Sequence, residues 1–174
     1  SLRGSQVSVI GNQGSASRGG VINSVAGKGP ISGSSITILG NNGSANQGTI
    51  NSVRVDGSIA GSQLAILGNH GSASGGGTAN IVKGDGSIRG SQITITANTG
   101  RTSGGGAVNS VKNSGHITGA QIALIGNHGT ATGGGTVNSV DNSGQLSGRV
   151  LIAANQGSAT MGGTVNSLVN RGIM

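Results

Sequence analysis

His116-Ile117-Thr118-Gly119-Ala120-Gln121-Ile122-Ala123-Leu124-Ile125-Gly126-Asn127-His128-Gly129, then a small-residue run to Gly135, then Thr136-Val137-Asn138-Ser139-Val140, is the stretch that decides the fold, because variants of it fill the chain. The Asn closing the apolar run returns at Asn12, Asn41, Asn69, Asn98, Asn127 and Asn155, in steps of 29, 28, 29, 29 and 28 residues. A second Asn, in V-N-S-V or a close variant, returns at Asn23, Asn51, Asn80, Asn109, Asn138 and Asn166. A fixed period of this length marks a stack or an array of equivalent units. Residues 1–29, 30–57, 58–86, 87–115, 116–144 and 145–172 are the six copies, taken together as one domain.

Five residues before the first Asn stand Val7, Ile36, Leu64, Ile93, Ile122 and Val150, and three before it Val9, Ile38, Ile66, Ile95, Leu124 and Ile152. Aliphatic columns two residues apart lie on one face of a strand. A third column is Leu2, Ile31, Ile59, Ile88, Ile117 and Leu146. Around the second Asn, aliphatics sit one before and two after, as in Ile50 and Val53; that spacing of three breaks the alternation and predicts a bend or bulge. With 38 Gly in 174 residues and mostly β-branched aliphatics, no segment suits a helix. The pattern predicts an all-β solenoid, right-handed or arch-like, with six stacked repeats, Gly/Asn-rich corners and uncapped ends. Each repeat should carry three or so short strands, and at about 4.8 Å per layer the stack should stand roughly 29 Å tall. Two one-residue deletions, between Asn41 and Asn51 and before Val150, are expected to fall in turns.

Phe, Tyr, Trp and Cys are absent, so the interior must be thin and closed by Val, Ile, Leu and Ala. Like amides one strand spacing apart can hydrogen-bond up a stack. The twelve Asn positions are therefore candidate polar ladders, as are Gln63, Gln92 and Gln121, a column that Gln6 joins and Ser35 and Arg149 interrupt. Asn also suits left-handed turn positions, and both roles are open. Absence of Cys excludes disulfides and thiolate chemistry, and suits a chain that crosses an oxidising compartment unfolded. No run of 18 apolar residues is present, so no transmembrane helix is expected.

The net charge is +7, from ten Lys+Arg and three acids. Arg54, Lys83 and Lys112 share one column, with Asp56 and Asp85 two residues beyond Arg54 and Lys83. They form either a solvated edge that discourages lateral aggregation or a docking strip for extracellular polyanions such as DNA or acidic polysaccharide. No aromatics are interleaved for base stacking, so such binding would be non-specific. His70 and His128 share a column two repeats apart, about 10 Å in a stack, too far to share a metal, and are expected to fill a turn. Asp56, Asp85 and Asp141 fall in a different register from both, so no Ser-His-Asp set or carboxylate pair assembles. The Gly75–Gly77, Gly104–Gly106 and Gly133–Gly135 runs lack the Lys-Ser/Thr and helix of a phosphate loop. No catalysis, cofactor or metal is expected. Thr49, Thr78, Thr136 and Thr164 make one interrupted Thr column where a flat ice-matching face would show two, so ice or ligand binding is the least supported reading.

Leu2, Val7 and Val9 already occupy aliphatic columns, Leu168 does so in the last repeat, and Met174 lies eight residues after Asn166, the offset from Asn138 to Leu146. Such a stack is expected either to polymerise head to tail through these residues or to be cut from a longer solenoid. Phrases such as Ser62-Gln63-Leu64-Ala65-Ile66 with Asn69 and Gly71-Ser72-Ala73 resemble the repeats of bacterial extracellular amyloid subunits of the curli and Fap type; adhesin β-solenoid repeats share the style. The resemblance implies a secreted structural protein at the cell surface or beyond, homopolymerising into a biofilm or attachment fibre. The alternative is a stalk segment of a larger surface adhesin.

Overall fold

The structure, a computed structural model, describes residues 1–174 and consists of 22 β-strands with no helix. In the second repeat, Ile31–Ser32 and Ser35–Leu39 lie in the first sheet, Asn42–Asn46 in the second and Thr49–Val55 in the third. Every strand pairs in parallel with its equivalents in adjacent repeats, giving one ten-stranded and two six-stranded sheets. Each repeat is thus one rung of a β-solenoid, and in the first four rungs a two-residue strand is added to the three predicted.

Register follows the aligned columns. Leu64 pairs with Ile36 and Ile93, and Ile93 with Ile122; all four are fully buried. The deletion after Asn41 falls in a turn as expected, where Gln47-Gly48 does the work of Arg18-Gly19-Gly20. The deletion before Val150 does not. It shifts the register between Thr118 and Gln121, opposite Ser147 and Arg149, within continuous strands Ile117–Ile125 and Leu146–Ala153.

Serine explains where that strand breaks and where it runs through. In the first four rungs the hydroxyls of Ser5, Ser34, Ser62 and Ser91 donate to the carbonyl two residues back, at 2.9–3.0 Å. The oxygens of Ser34, Ser62 and Ser91 also accept a backbone N–H from the preceding rung, at 3.2–3.3 Å. A hydroxyl bonded to its own backbone competes with the strand and makes a corner. Ala120 takes this place in the fifth rung, offers no hydroxyl, and the strand continues.

The interior divides in two. A large cluster joins Ile36, Ile38 and their equivalents to Val53, Val55, Val82, Val111 and Val140 across the third sheet. A small one holds Ala45, Ile50, Ala79, Val108, Ala131 and Val137. Ile50 and Asn51 are both buried, and alternation resumes at Val53 and Val55, so the predicted break falls at the second Asn. Along the chain each buried Asn column lies between a member of one cluster and a member of the other, as Asn41 does between Ile38 and Ala45 and Asn51 between Ile50 and Val53.

Candidate functional site: ladders, faces and rung edges

The first Asn column is a saturated amide ladder. Asn69 Oδ1 accepts the Asn41 backbone N–H at 2.9 Å and the Asn41 Nδ2 at 3.1 Å. Asn69 Nδ2 donates to Asn98 Oδ1 at 3.0 Å and to the Ile38 carbonyl at 3.3 Å. Four side-chain bonds satisfy both protons and both lone pairs, which is what a buried amide requires. Asn98 and Asn127 repeat the pattern. The second column runs Asn23, Asn51, Asn80, Asn109, Asn138, Asn166 through single Nδ2 to Oδ1 bonds of 2.8–3.0 Å. The two ladders meet, Asn155 Nδ2 donating to Asn166 Oδ1 at 3.3 Å.

None of these Asn residues takes a left-handed backbone. The residue before the first Asn does so instead: Gly11, Gly40, Gly68 and Gly126 at φ of 59–68°, and Ala97 and Ala154 at 54° and 51°. Gly supplies that conformation without strain, which frees the Asn side chain for the stack.

A third ladder escaped the sequence reading. Asn113 Nδ2 donates to Asn142 Oδ1 at 3.1 Å, and Asn142 to Asn170 at 2.9 Å. Gly27, Val55 and Gly84 hold this column in the first three rungs, so the signal spans only half the repeats. At its free end Asn113 Oδ1 is buried without a partner, as is Thr102 Oγ1.

The Gln column is a correction. Gln63, Gln92 and Gln121 stack in register, but on the outer face of the first sheet, exposed, with no side-chain hydrogen bond among them. The second correction concerns His70 and His128. They do not fill turns: they begin strands His70–Ser74 and His128–Thr132 and lie exposed on the second sheet, with Thr99 on the rung between. On that face Gly71 and Ala73 are less exposed than Ser72 and Ser74, so the hydroxyls line its outside. Ser15, Ser44, Ser72, Thr130 and Ser158 form one outer column, broken by Arg101. A shallow trough of about 660 Å³ lies over its Ser72, Arg101, Thr130 and Ser158 and over the neighbouring column of His70, Thr99 and His128. The column Thr49, Thr78, Thr136 is only half-exposed on the third sheet.

Arg54, Lys83 and Lys112 occupy adjacent rungs, with Asp141 next in register. Arg54 is paired with Asp56 at 3.4 Å and Arg171 with Asp141. All three acids belong to this edge, so the strip is partly neutralised. The Gly runs sit in the turns between the second and third sheets, Gly75 and Gly76 both left-handed.

At the rung edges, Leu2, Val7 and Val9 are half-buried and pack on the large cluster. Leu168 is 48 % exposed and Met174 85 % exposed. The Ile173 carbonyl accepts the Leu146 N–H at 2.9 Å, as Gln145 accepts from Ile117, so Met174 stands in the Leu146 column as predicted. Asn12 Oδ1 and Asn23 Oδ1 accept no bond on one edge; the Asn155 N–H and Asn166 Nδ2 donate none on the other. No helix is present, so none is long and apolar enough to cross a membrane. Set against protein-family models, curated proteins and solved structures, the chain has no match in any of the three.

Proposed function

We propose that this chain is a structural subunit of a secreted extracellular fibre, serving biofilm matrix or surface attachment, whose rungs stack end to end without catalysis or cofactor. The observation that carries this reading is the complementarity of the two rung edges. One presents the amide oxygens of Asn12 and Asn23; the other presents the Asn155 N–H and the Asn166 amide as donors. A rung of the same pattern laid on either edge continues both ladders and sets Leu2, Val7 and Val9 of one chain on Leu146, Val150 and Ile152 of the other, with Leu2 displacing Met174 from the end of its column. Such a contact is heterologous and does not close, so it builds an open filament.

Electron microscopy and fibre diffraction of the purified chain test it. The expected result is unbranched filaments with a repeat of about 4.7–4.8 Å along the axis and resistance to denaturant. Val7→Pro, which puts an imino acid in the edge strand Gln6–Ile10, should block growth from that edge. A chain that stays monomeric at high concentration with both edges ordered would reject the fibre and favour a stalk segment of a larger surface adhesin.

A further inference from the structure

The outer face of the first sheet carries an aliphatic column that nothing in the chain covers: Ile10, Leu39, Leu67, Ile125 and Ala153, with Thr96 on the fourth rung. Ile10 is 59 % and Leu39 37 % exposed. The outward positions of the second sheet are polar in the same rungs, so this is a property of one face. Beside the column runs one of small residues, Ser8, Thr37, Ala65, Thr94 and Ala123, ending in Leu151, and beyond it the unpaired Gln column, ending in Arg149.

We propose that two copies of this chain pair through this face, with their solenoid axes antiparallel. Orientation follows from symmetry. A twofold parallel to the axis would set the Gln column of one copy against the aliphatic column of the other, burying amides on hydrocarbon. A twofold perpendicular to the axis and lying in the face sets like columns together, aliphatic on aliphatic and Gln on Gln, with the first rung opposite the sixth.

In that arrangement three large side chains meet small ones. Ile10 meets Ala153, Leu67 meets Thr96, and Leu151, the one large residue of the middle column, meets Ser8. Leu39 meets Ile125, Gln63 meets Gln92, and the lone cation Arg149 meets Gln6 rather than another Arg. Five residues across and six rungs high, the face offers roughly 490 Å² per chain, or roughly 1,000 Å² for the pair, the floor for specific association. The other faces suit a second copy less well: pairing through them in the same way would set Arg101 beside His70, or Lys83 against Lys112, on chains of net charge +7.

The test is disulfide trapping in a chain with no native Cys, combined with sedimentation. Ser8→Cys and Leu151→Cys chains, mixed and oxidised, should give a cross-linked heterodimer, while neither variant cross-links alone. Leu39→Lys/Ile125→Lys, which sets like charges opposite one another, should weaken association at least about a hundredfold while circular dichroism stays unchanged. Ser44→Lys/Thr130→Lys on the second sheet should leave it intact. Self-cross-linking of Ser8→Cys would show parallel pairing; no cross-link beyond that of a Ser72→Cys control, or undiminished association of the first-sheet lysine variant, would overturn the face. Discrete trapped pairs without filaments would sink the fibre and leave the pairing; single-width filaments without pairs would do the reverse.

Discussion

Asn98→Ala should cost about 4 kcal/mol, because the amide it removes serves three neighbours at a fully buried position. Its Oδ1 is the acceptor for the Asn69 backbone N–H at 2.9 Å and for Asn69 Nδ2 at 3.0 Å. Its Nδ2 donates to the Ile66 carbonyl at 3.1 Å and to Asn127 Oδ1 at 3.2 Å. The Asn127 oxygen keeps the Asn98 backbone N–H at 3.1 Å, so the principal losses are the two stranded donors of Asn69. At about 1–3 kcal/mol for each buried group left unpaired, two donors give about 2–6 kcal/mol. Gln92→Ala on the same rung removes an exposed amide with no bond and should change stability by less than about 0.5 kcal/mol. Urea unfolding followed by far-ultraviolet circular dichroism is the assay, since no aromatic residue is available as a reporter. With a denaturant slope of about 2 kcal/mol per molar, the Asn98→Ala midpoint should fall by about 2 M. A loss under about 1 kcal/mol, or equal losses from the two substitutions, would refute the view that the buried ladder carries stability.

Two further substitutions test the core and the corners. Ile93→Asp should prevent folding, since an unpaired carboxylate in the large cluster costs several kcal/mol, whereas exposed Lys112→Ser should be nearly silent; similar effects on thermal unfolding would mean the interior is misassigned. Ala97→Gly should stabilise by about 0.5–1 kcal/mol, because Ala97 holds φ of 54° where Gly11, Gly40, Gly68 and Gly126 adopt the same region freely. The gain is net of the greater unfolded-state freedom of Gly, and a measured loss in chemical denaturation would contradict a left-handed corner there.

The inward columns were legible because alternation and a repeat act together: Val7, Ile36, Leu64, Ile93, Ile122 and Val150 could share only one face, and six copies fixed which one. The second sheet was not legible on the same grounds. Its inward residues are Gly71 and Ala73 and their equivalents, too small to mark a hydrophobic face, so His70 and His128 read as turn residues. Small residues are required there by the close approach of the third sheet. A Cβ on Gly71 would sit 2.4 Å from Ile50 Cδ1, and one on Gly100 2.6 Å from Val108 Cγ1. The clue was present as an invariant Gly two residues after the first Asn, but without the opposite strand its cause could not be named.

Asn and Gln columns separate for a reason that spacing alone does not contain. Both stack at one residue per rung, and both carry an amide that could bond to its copy above and below. Asn41, Asn69, Asn98 and Asn127 do so because they face inward, where water is excluded and an unpaired amide is costly. Gln63, Gln92 and Gln121 lie outside, where water satisfies the same groups and a ladder bond brings little net gain against the entropy of holding a longer side chain. Register therefore sets which amides can meet, and burial sets which ones must. On the first sheet's outer face no such requirement acts on the Gln amides while water reaches them, and a second solenoid covering the aliphatics beside them would exclude that water and turn the idle Gln column into a bonded one.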